Sequence, residues 1–96
     1  MEPDYYITVW VKAKEDYEQI ARVCLGDNRP FAANIFHQLK GSKEVRNSEL
    51  LQLDLVEHIA DVPVTIDIIA CTLEQYAHNS RVLAAELLKL HNTPTQ

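Results

Sequence analysis

Glycine and cysteine are scarce in this chain: its 96 residues hold two of each, with a single tryptophan and a single methionine. Gly26 and Gly41 cannot build a Walker A loop, which needs a Gly-rich turn ending in Gly-Lys-Ser/Thr, or a Rossmann fingerprint with its three spaced glycines. Cys24 and Cys71 form neither a Cys-x-x-Cys pair nor a disulfide framework, so both are expected to stay reduced and act as small apolar side chains. There is no Gly-x-Ser-x-Gly elbow, no His-x-x-x-His and no Glu-x-x-His, so no metal or other cofactor is expected. Catalytic motifs are therefore missing from the linear sequence, and the chain leans towards a non-enzymatic role.

Basic residues are also few. Nine Lys and Arg stand against 14 Asp and Glu, a formal net charge of −5, and a chain of that sign is repelled by phosphate backbones unless its bases cluster. Lys40, Lys43 and Arg46 come nearest, but Glu44 interrupts them and Glu49 follows. No nucleic-acid partner is expected. The apolar runs are too short to cross a bilayer, so no membrane partner is expected either. The opening Met-Glu-Pro-Asp-Tyr-Tyr has neither a basic nor an apolar leader segment, which points to a cytoplasmic location.

What is present is ordinary globular composition, 47% apolar and 24% charged, over a length suited to one domain spanning 1–96. A chain of this size buries roughly 60–65% of its unfolded surface. Within it one pattern occurs twice. Phe-Ala-Ala-Asn at 31–34 returns as Tyr-Ala-His-Asn at 76–79, each after an apolar run and a capping residue, Asp27 and then Thr72. The two repeat units cover about 5–41 and 50–92, with a mobile tail at 93–96.

Residues 5–13 alternate, with Tyr5, Ile7, Val9 and Val11 on one side and Tyr6, Thr8, Trp10 and Lys12 on the other, and predict a strand. Residues 17–25 fit a helical stripe and a strand face almost equally; their counterpart at 62–71 is rich in β-branched residues, which favours strand. Pro30 suits a first helical turn, Ala32, Ile35, Phe36 and Leu39 follow at helical spacing, and Gly41 suits a left-handed stop. In the second unit Leu51, Leu53 and Leu55 alternate with Gln52, Asp54 and Val56. Ala60-Asp61-Val62-Pro63 turns the chain, with Pro63 at the start of the next strand, and Val64, Ile66, Ile68 and Ala70 are expected to continue the inner face. Thr72-x-x-Gln75 has capping-box spacing, and Leu73, Tyr76, Ala77, Ser80, Leu83, Ala84, Leu87 and Leu88 form an amphipathic stripe. The fold class that results is α+β: two β-β-α units forming one mainly antiparallel four-stranded sheet with two helices on one face.

The other face of that sheet would stay open and carry Tyr6, Thr8, Trp10, Ile20, Arg22, Cys24, Val56, His58, Thr65, Asp67 and Ile69. Trp10, Ile20, Val56 and Ile69 are the candidate interface, since an aromatic anchor in an apolar patch suits a subunit or protein contact. A homodimer is the expected partner arrangement, through this face or through the row of the last helix that Val82 and Ala85 interrupt. A regulatory adaptor to one specific protein is another reading of the same surface. The alternative is a small-molecule or metal-dependent enzyme. A two-residue turn at Ala60-Asp61 would set Asp54 opposite Asp67, with His58 two pleats away, as a carboxylate and histidine cluster for ligand or metal. Asn34 and Asn79, one turn into each helix, are expected to bond to neighbouring loop backbone. Solvated surface side chains are the ordinary account of His37 and His78.

A strand ending in Gly26-Asp27, a helix bearing Ala33, Phe36 and Leu39-Lys40-Gly41, and a helix start at Cys71-Thr72-Leu73 together resemble certain small uncharacterised bacterial proteins. Asn79, Glu86 and Lys89 downstream extend the likeness. The resemblance implies a compact α+β unit and no particular activity.

Overall fold

The computed structural model describes residues 3–44 and 50–91; the expected tail at 93–96 and most of the loop between the two repeat units lie outside them. Its elements are β1 (Asp4–Lys12), β2 (Tyr17–Gly26), α1 (Arg29–His37), β3 (Leu51–Ile59), β4 (Val62–Cys71) and α2 (Leu73–His91). The order is strand, strand, helix, twice over. All three strand pairings are antiparallel and the sheet order is β2-β1-β3-β4, so the two hairpins join through their first strands. Residues 17–25, ambiguous in sequence, belong to a strand because β1 offers Tyr17 to Gly26 an antiparallel ladder of partners, interrupted at Ile20 and Leu25.

Alternation sorts the strands cleanly. Tyr5, Ile7 and Val9 of β1, Leu51, Leu53 and Leu55 of β3, and Ile69 and Cys71 of β4 are buried in one apolar cluster. Leu25 of β2, Ala32, Ile35, Phe36 and Leu39 from α1 and its following turn, and Leu83 from α2, complete it. Both helices therefore bury their stripes against the same side of the sheet, and burying one such side chain contributes roughly 1.5–3 kcal/mol.

Asn28, not Asp27, caps α1: its Oδ1 accepts from the Phe31 N–H at 2.8 Å. Its extended backbone (φ −104°, ψ 110°) is that of a helix cap. The Thr72 capping box forms as its spacing requires, with Gln75 N–H donating to Thr72 Oγ1 and Thr72 N–H to Gln75 Oε1. In α2 the buried side is rotated from the expected stripe. Asn79 and Leu83 are buried and Tyr76, Val82 and Leu87 pack on the core, while Leu73, Ala77, Ala84 and Leu88 are exposed. Val82 is thus part of the packing side rather than a break in a polar row.

Two short-range devices set the geometry of β4. Ala60 and Asp61 both take positive φ, 51° and 66°, so the hairpin closes with only two residues between Ile59 and Val62. Val56 then faces Thr65, but Leu55 faces Asp67, which leaves Ile66 as an extra residue, a β-bulge. Beyond it every side chain of β4 changes side. Ile68 and Ala70, expected inside, lie opposite Asp54 and Gln52 on the outer face, and Ile69 lies opposite Leu53 in the core.

Candidate functional site

The sheet face away from the core cluster carries Asp4, Tyr6, Thr8 and Trp10 from β1, Arg22 and Cys24 from β2, Gln52, Asp54, Val56 and His58 from β3, and Pro63, Thr65 and Ile68 from β4. No described element covers it. Even so, Tyr6, Thr8 and Val56 are each more than nine-tenths buried, because longer neighbours fold over them. The guanidinium of Arg22 lies 4.3 Å from the centre of the Tyr6 ring, and the His58 ring stands 6.2 Å from it at 49°. Trp10 Nε1 donates to Thr8 Oγ1 at 3.0 Å, which folds the indole along its own strand. Gln52 Nε2 donates to Asp54 Oδ1 at 2.9 Å.

Of the expected interface residues, Trp10 and Val56 are on this face. Trp10 is half-buried and Val56 forms part of the floor between Tyr6 and Thr65. Ile20 is the extra residue of a second bulge, where Val9 faces Ala21 and Trp10 faces Gln19, and it is 53% exposed on the edge strand. Ile69 is on the wrong side for the role given to it: the Ile66 bulge turns it into the core and leaves Ile68 in its stead.

The carboxylate and histidine cluster does not assemble. The same bulge sends Asp67 to the helix-packed side, where it pairs with Lys43 and accepts the backbone N–H of Ile68. Asp54 faces Thr8 and Ile68 instead. His58 is four residues further along β3, roughly 13 Å at 3.3 Å per residue. Burial raises the Asp54 carboxyl above the usual aspartate range, with the Gln52 amide pulling the other way. Among the described residues no three His, Cys, Asp or Glu side chains gather as a metal ion would need.

At the other end of the face lies a feature that the spacing of single residues does not announce. An open groove of about 650 Å³ is lined by Asp4, Tyr6, Arg22, Cys24, His58 and Asp61, with Gly26, Pro63 and Tyr5 at its borders. Its size is in the range of small-molecule sites. Alternation alone puts Tyr6, Arg22 and Cys24 on one face. What brings His58 beside them is the β1–β3 register, Asp4 opposite His58 and Tyr6 opposite Val56, between segments some fifty residues apart.

Behind the groove, on the helix side, Tyr5 Oη donates to Glu57 Oε2 at 2.6 Å and Arg29 Nη1 reaches the same oxygen at 2.7 Å. This triad ties β1, β3 and the first turn of α1 together. The Tyr5 hydrogen bond holds the Glu57 carboxyl below its ordinary range despite burial, with Arg29 assisting, and Glu57 in turn raises the Tyr5 phenol.

Both sheet edges are blunted. On β4, Pro63 has no N–H to offer, the Ile66 bulge interrupts the ladder, and Ser42 exchanges two backbone hydrogen bonds of 2.8 Å with Ala70. On β2, bulges occur at Ile20 and Leu25. Compared with known protein-family models, curated proteins and solved structures, the chain finds no match, so the likeness to small bacterial proteins gains no support from them. No helix among the described residues is long and apolar enough to cross a membrane.

Proposed function

We propose that the protein is a small non-enzymatic interaction module that pairs with a second copy of itself through the Trp10 end of its open sheet face. The observation that carries this reading is the pairing of a half-exposed Trp10 with an outer face that no described element covers, while both edges carry features that discourage strand addition. Ile20 and Ile68 add apolar surface on that face and its margin, and Leu50, 44% exposed, sits at the same end of the strands, its carbonyl accepting from Lys12 N–H.

Magnitude sets the strength of such a contact. Four strands about 4.8 Å apart and about nine residues long present a face of roughly 19 by 30 Å. Two whole faces would bury on the order of 1,100 Å², below the ~1,600 Å² of a standard interface, and half a face buries less. The dimer is therefore weak and concentration-dependent.

Absolute mass by light scattering over a concentration series, for the wild type and for Trp10→Asp, tests this. A mass that climbs towards the dimer in the wild type and stays monomeric in a folded Trp10→Asp supports the reading. A wild type that remains monomeric throughout refutes it. The enzyme reading built on Asp54, Asp67 and His58 has lost its geometry and is not taken further.

A further inference from the structure

We propose that the groove at the Tyr6 end of the open face binds a small amphoteric molecule, with a single carboxylate or phosphate at one end and a hydrogen-bond-donating ammonium at the other. This goes beyond the interface reading and does not depend on it: Asp4 and Trp10 are six residues apart on β1, about 20 Å along the strand.

Arg22 is the anion receptor. Among the described residues it has no carboxylate partner, in contrast to Arg29, Lys43 and Lys89, each of which forms an ion pair. Its guanidinium is held on the Tyr6 ring instead, 4.3 Å from the centroid. This cation–π contact holds the group over the ring and occupies none of its N–H donors with a carboxylate, which leaves the planar fork able to grip a carboxylate or phosphate in two places. The ring beneath is itself immobilised, since Tyr6 is 8% exposed and the His58 ring stands against it. His58 lines the same groove and brings at least one ring N–H in either protonation state.

The adjoining wall has the opposite character. Asp4 and Asp61 both line the groove, and among the described residues neither side chain has an ion-pair or hydrogen-bond partner. Two carboxylates repel a polyanion such as a nucleotide triphosphate or a nucleic acid, and they accept hydrogen bonds from an ammonium. The Arg22 guanidinium lies over Tyr6, two residues (about 7 Å) along β1 from Asp4 on the same face, and forms no ion pair with Asp4 or Asp61, so the positive and negative groups of the groove stand side by side without neutralising each other. The ligand's charges are correspondingly spaced along a short chain rather than gathered on one atom. Gly26 contributes at the border by leaving space where a side chain would stand: nothing lies within 4 Å of the Cβ it lacks.

The test follows the backbone amides of Arg22, Cys24 and His58 by nitrogen-15 NMR in the full chain, titrated separately with glycylglycine, phosphoethanolamine, acetate and inorganic phosphate. The expected result is a saturable shift of these amides with one or both amphoteric probes, at a dissociation constant on the order of 1 mM, and about tenfold weaker binding of the simple anions. Preference for glycylglycine identifies a carboxylate ligand, and preference for phosphoethanolamine a phosphate. Arg22→Gln is expected to lose about tenfold or more in affinity, Arg22→Lys to recover only part of it because the planar fork is gone, and Asp61→Asn to weaken the amphoteric probes alone. The proposal is overturned if no probe gives a saturable shift, if the simple anions bind as tightly as the amphoteric ones, or if Arg22→Gln binds like the wild type.

Discussion

Asn79 and Lys40 exchange two hydrogen bonds: the side-chain Oδ1 of Asn79 accepts from the Lys40 N–H at 2.7 Å, and its Nδ2 donates to the Lys40 carbonyl at 2.8 Å. The carboxamide acts as a peptide group would in a ladder, and it fastens α2 to the chain that leaves α1. Asn79 itself is fully buried, while Lys40 is exposed, so the two bonds are partly shielded from water. Its repeat counterpart, Asn34, is exposed and makes no hydrogen bond of this kind among the described residues.

Asn79→Ala removes both bonds and leaves the Lys40 N–H and C=O to partial hydration, a loss of about 1–3 kcal/mol. Asn34→Ala, one repeat earlier, stays within about 0.5 kcal/mol of the wild type. Urea unfolding of the two variants checks this, and equal effects on the midpoint would show that Asn79 is not the fastening it is taken to be.

The Ala60-Asp61 turn holds two residues in left-handed backbone, which disfavours alanine by about 1–2 kcal/mol and asparagine much less. Ala60→Asn is therefore expected to raise stability by about 0.5–1 kcal/mol, and Ala60→Val to lower it, because a branched Cβ fits that region worst. Thermal unfolding read by circular dichroism distinguishes the two signs; a stabilising valine would contradict the turn geometry.

Gly41 approaches β4 too closely for a side chain. A Cβ there would stand 2.7 Å from the Ala70 carbonyl oxygen and 3.2 Å from the Ile69 side chain. Gly41→Ala must push the Ser42–Ala70 bridge apart, at a cost of about 1–3 kcal/mol, and amide exchange at Ala70 should accelerate as its bond to Ser42 opens. Gly26→Ala meets open space, and its strain comes from the backbone alone, φ +93°. Unchanged exchange at Ala70 in Gly41→Ala would argue against the close approach.

What was legible in the sequence was whatever rests on local pattern. The alternation of residues 5–13, the helical spacing from Ala32 to Leu39 and the Thr72–Gln75 box each follow from neighbours within one turn or one pleat. The β-branched second unit was enough to decide that residues 17–25 form a strand. The role of Gly41 was misread for the same reason: a helix stop is a local requirement, whereas its close contact with Ala70 is tertiary.

The outer half of β4 was not legible, because one extra residue at Ile66 exchanges its two faces and no residue type there announces a bulge. That single insertion removes Asp67 from Asp54 and Ile69 from the open face. The groove was half legible. Tyr6, Arg22, Cys24 and His58 could be assigned to one face by counting, but the position of His58, and of the Asp61 turn that follows it, beside Tyr6 depends on β1–β3 pairing, which is set by how two distant apolar rows fit together.

Two carboxylates give the protein opposing responses to acid. The Tyr5 hydrogen bond, with help from Arg29, holds Glu57 below its ordinary value, so the folded state binds that proton more weakly than the unfolded chain. Its contribution is present above the usual glutamate range near ~4.3 and is lost as pH falls through the folded value. Asp54 is raised, chiefly by burial, so the folded state binds its proton more tightly, and its charged form weakens the fold at neutral pH. That penalty is relieved as pH drops through the raised folded value towards the unfolded one near ~3.9. Asp54→Asn keeps an oxygen for the Gln52 amide without the charge, and is expected to be more stable than the wild type at pH 7, with the advantage shrinking as aspartate protonates. Glu57→Gln is expected to be less stable at pH 7, and its deficit to close in acid. Urea midpoints for both variants at neutral pH and below the carboxylate range decide the matter: an Asp54→Asn advantage that does not change with pH would mean that packing, not buried charge, is responsible.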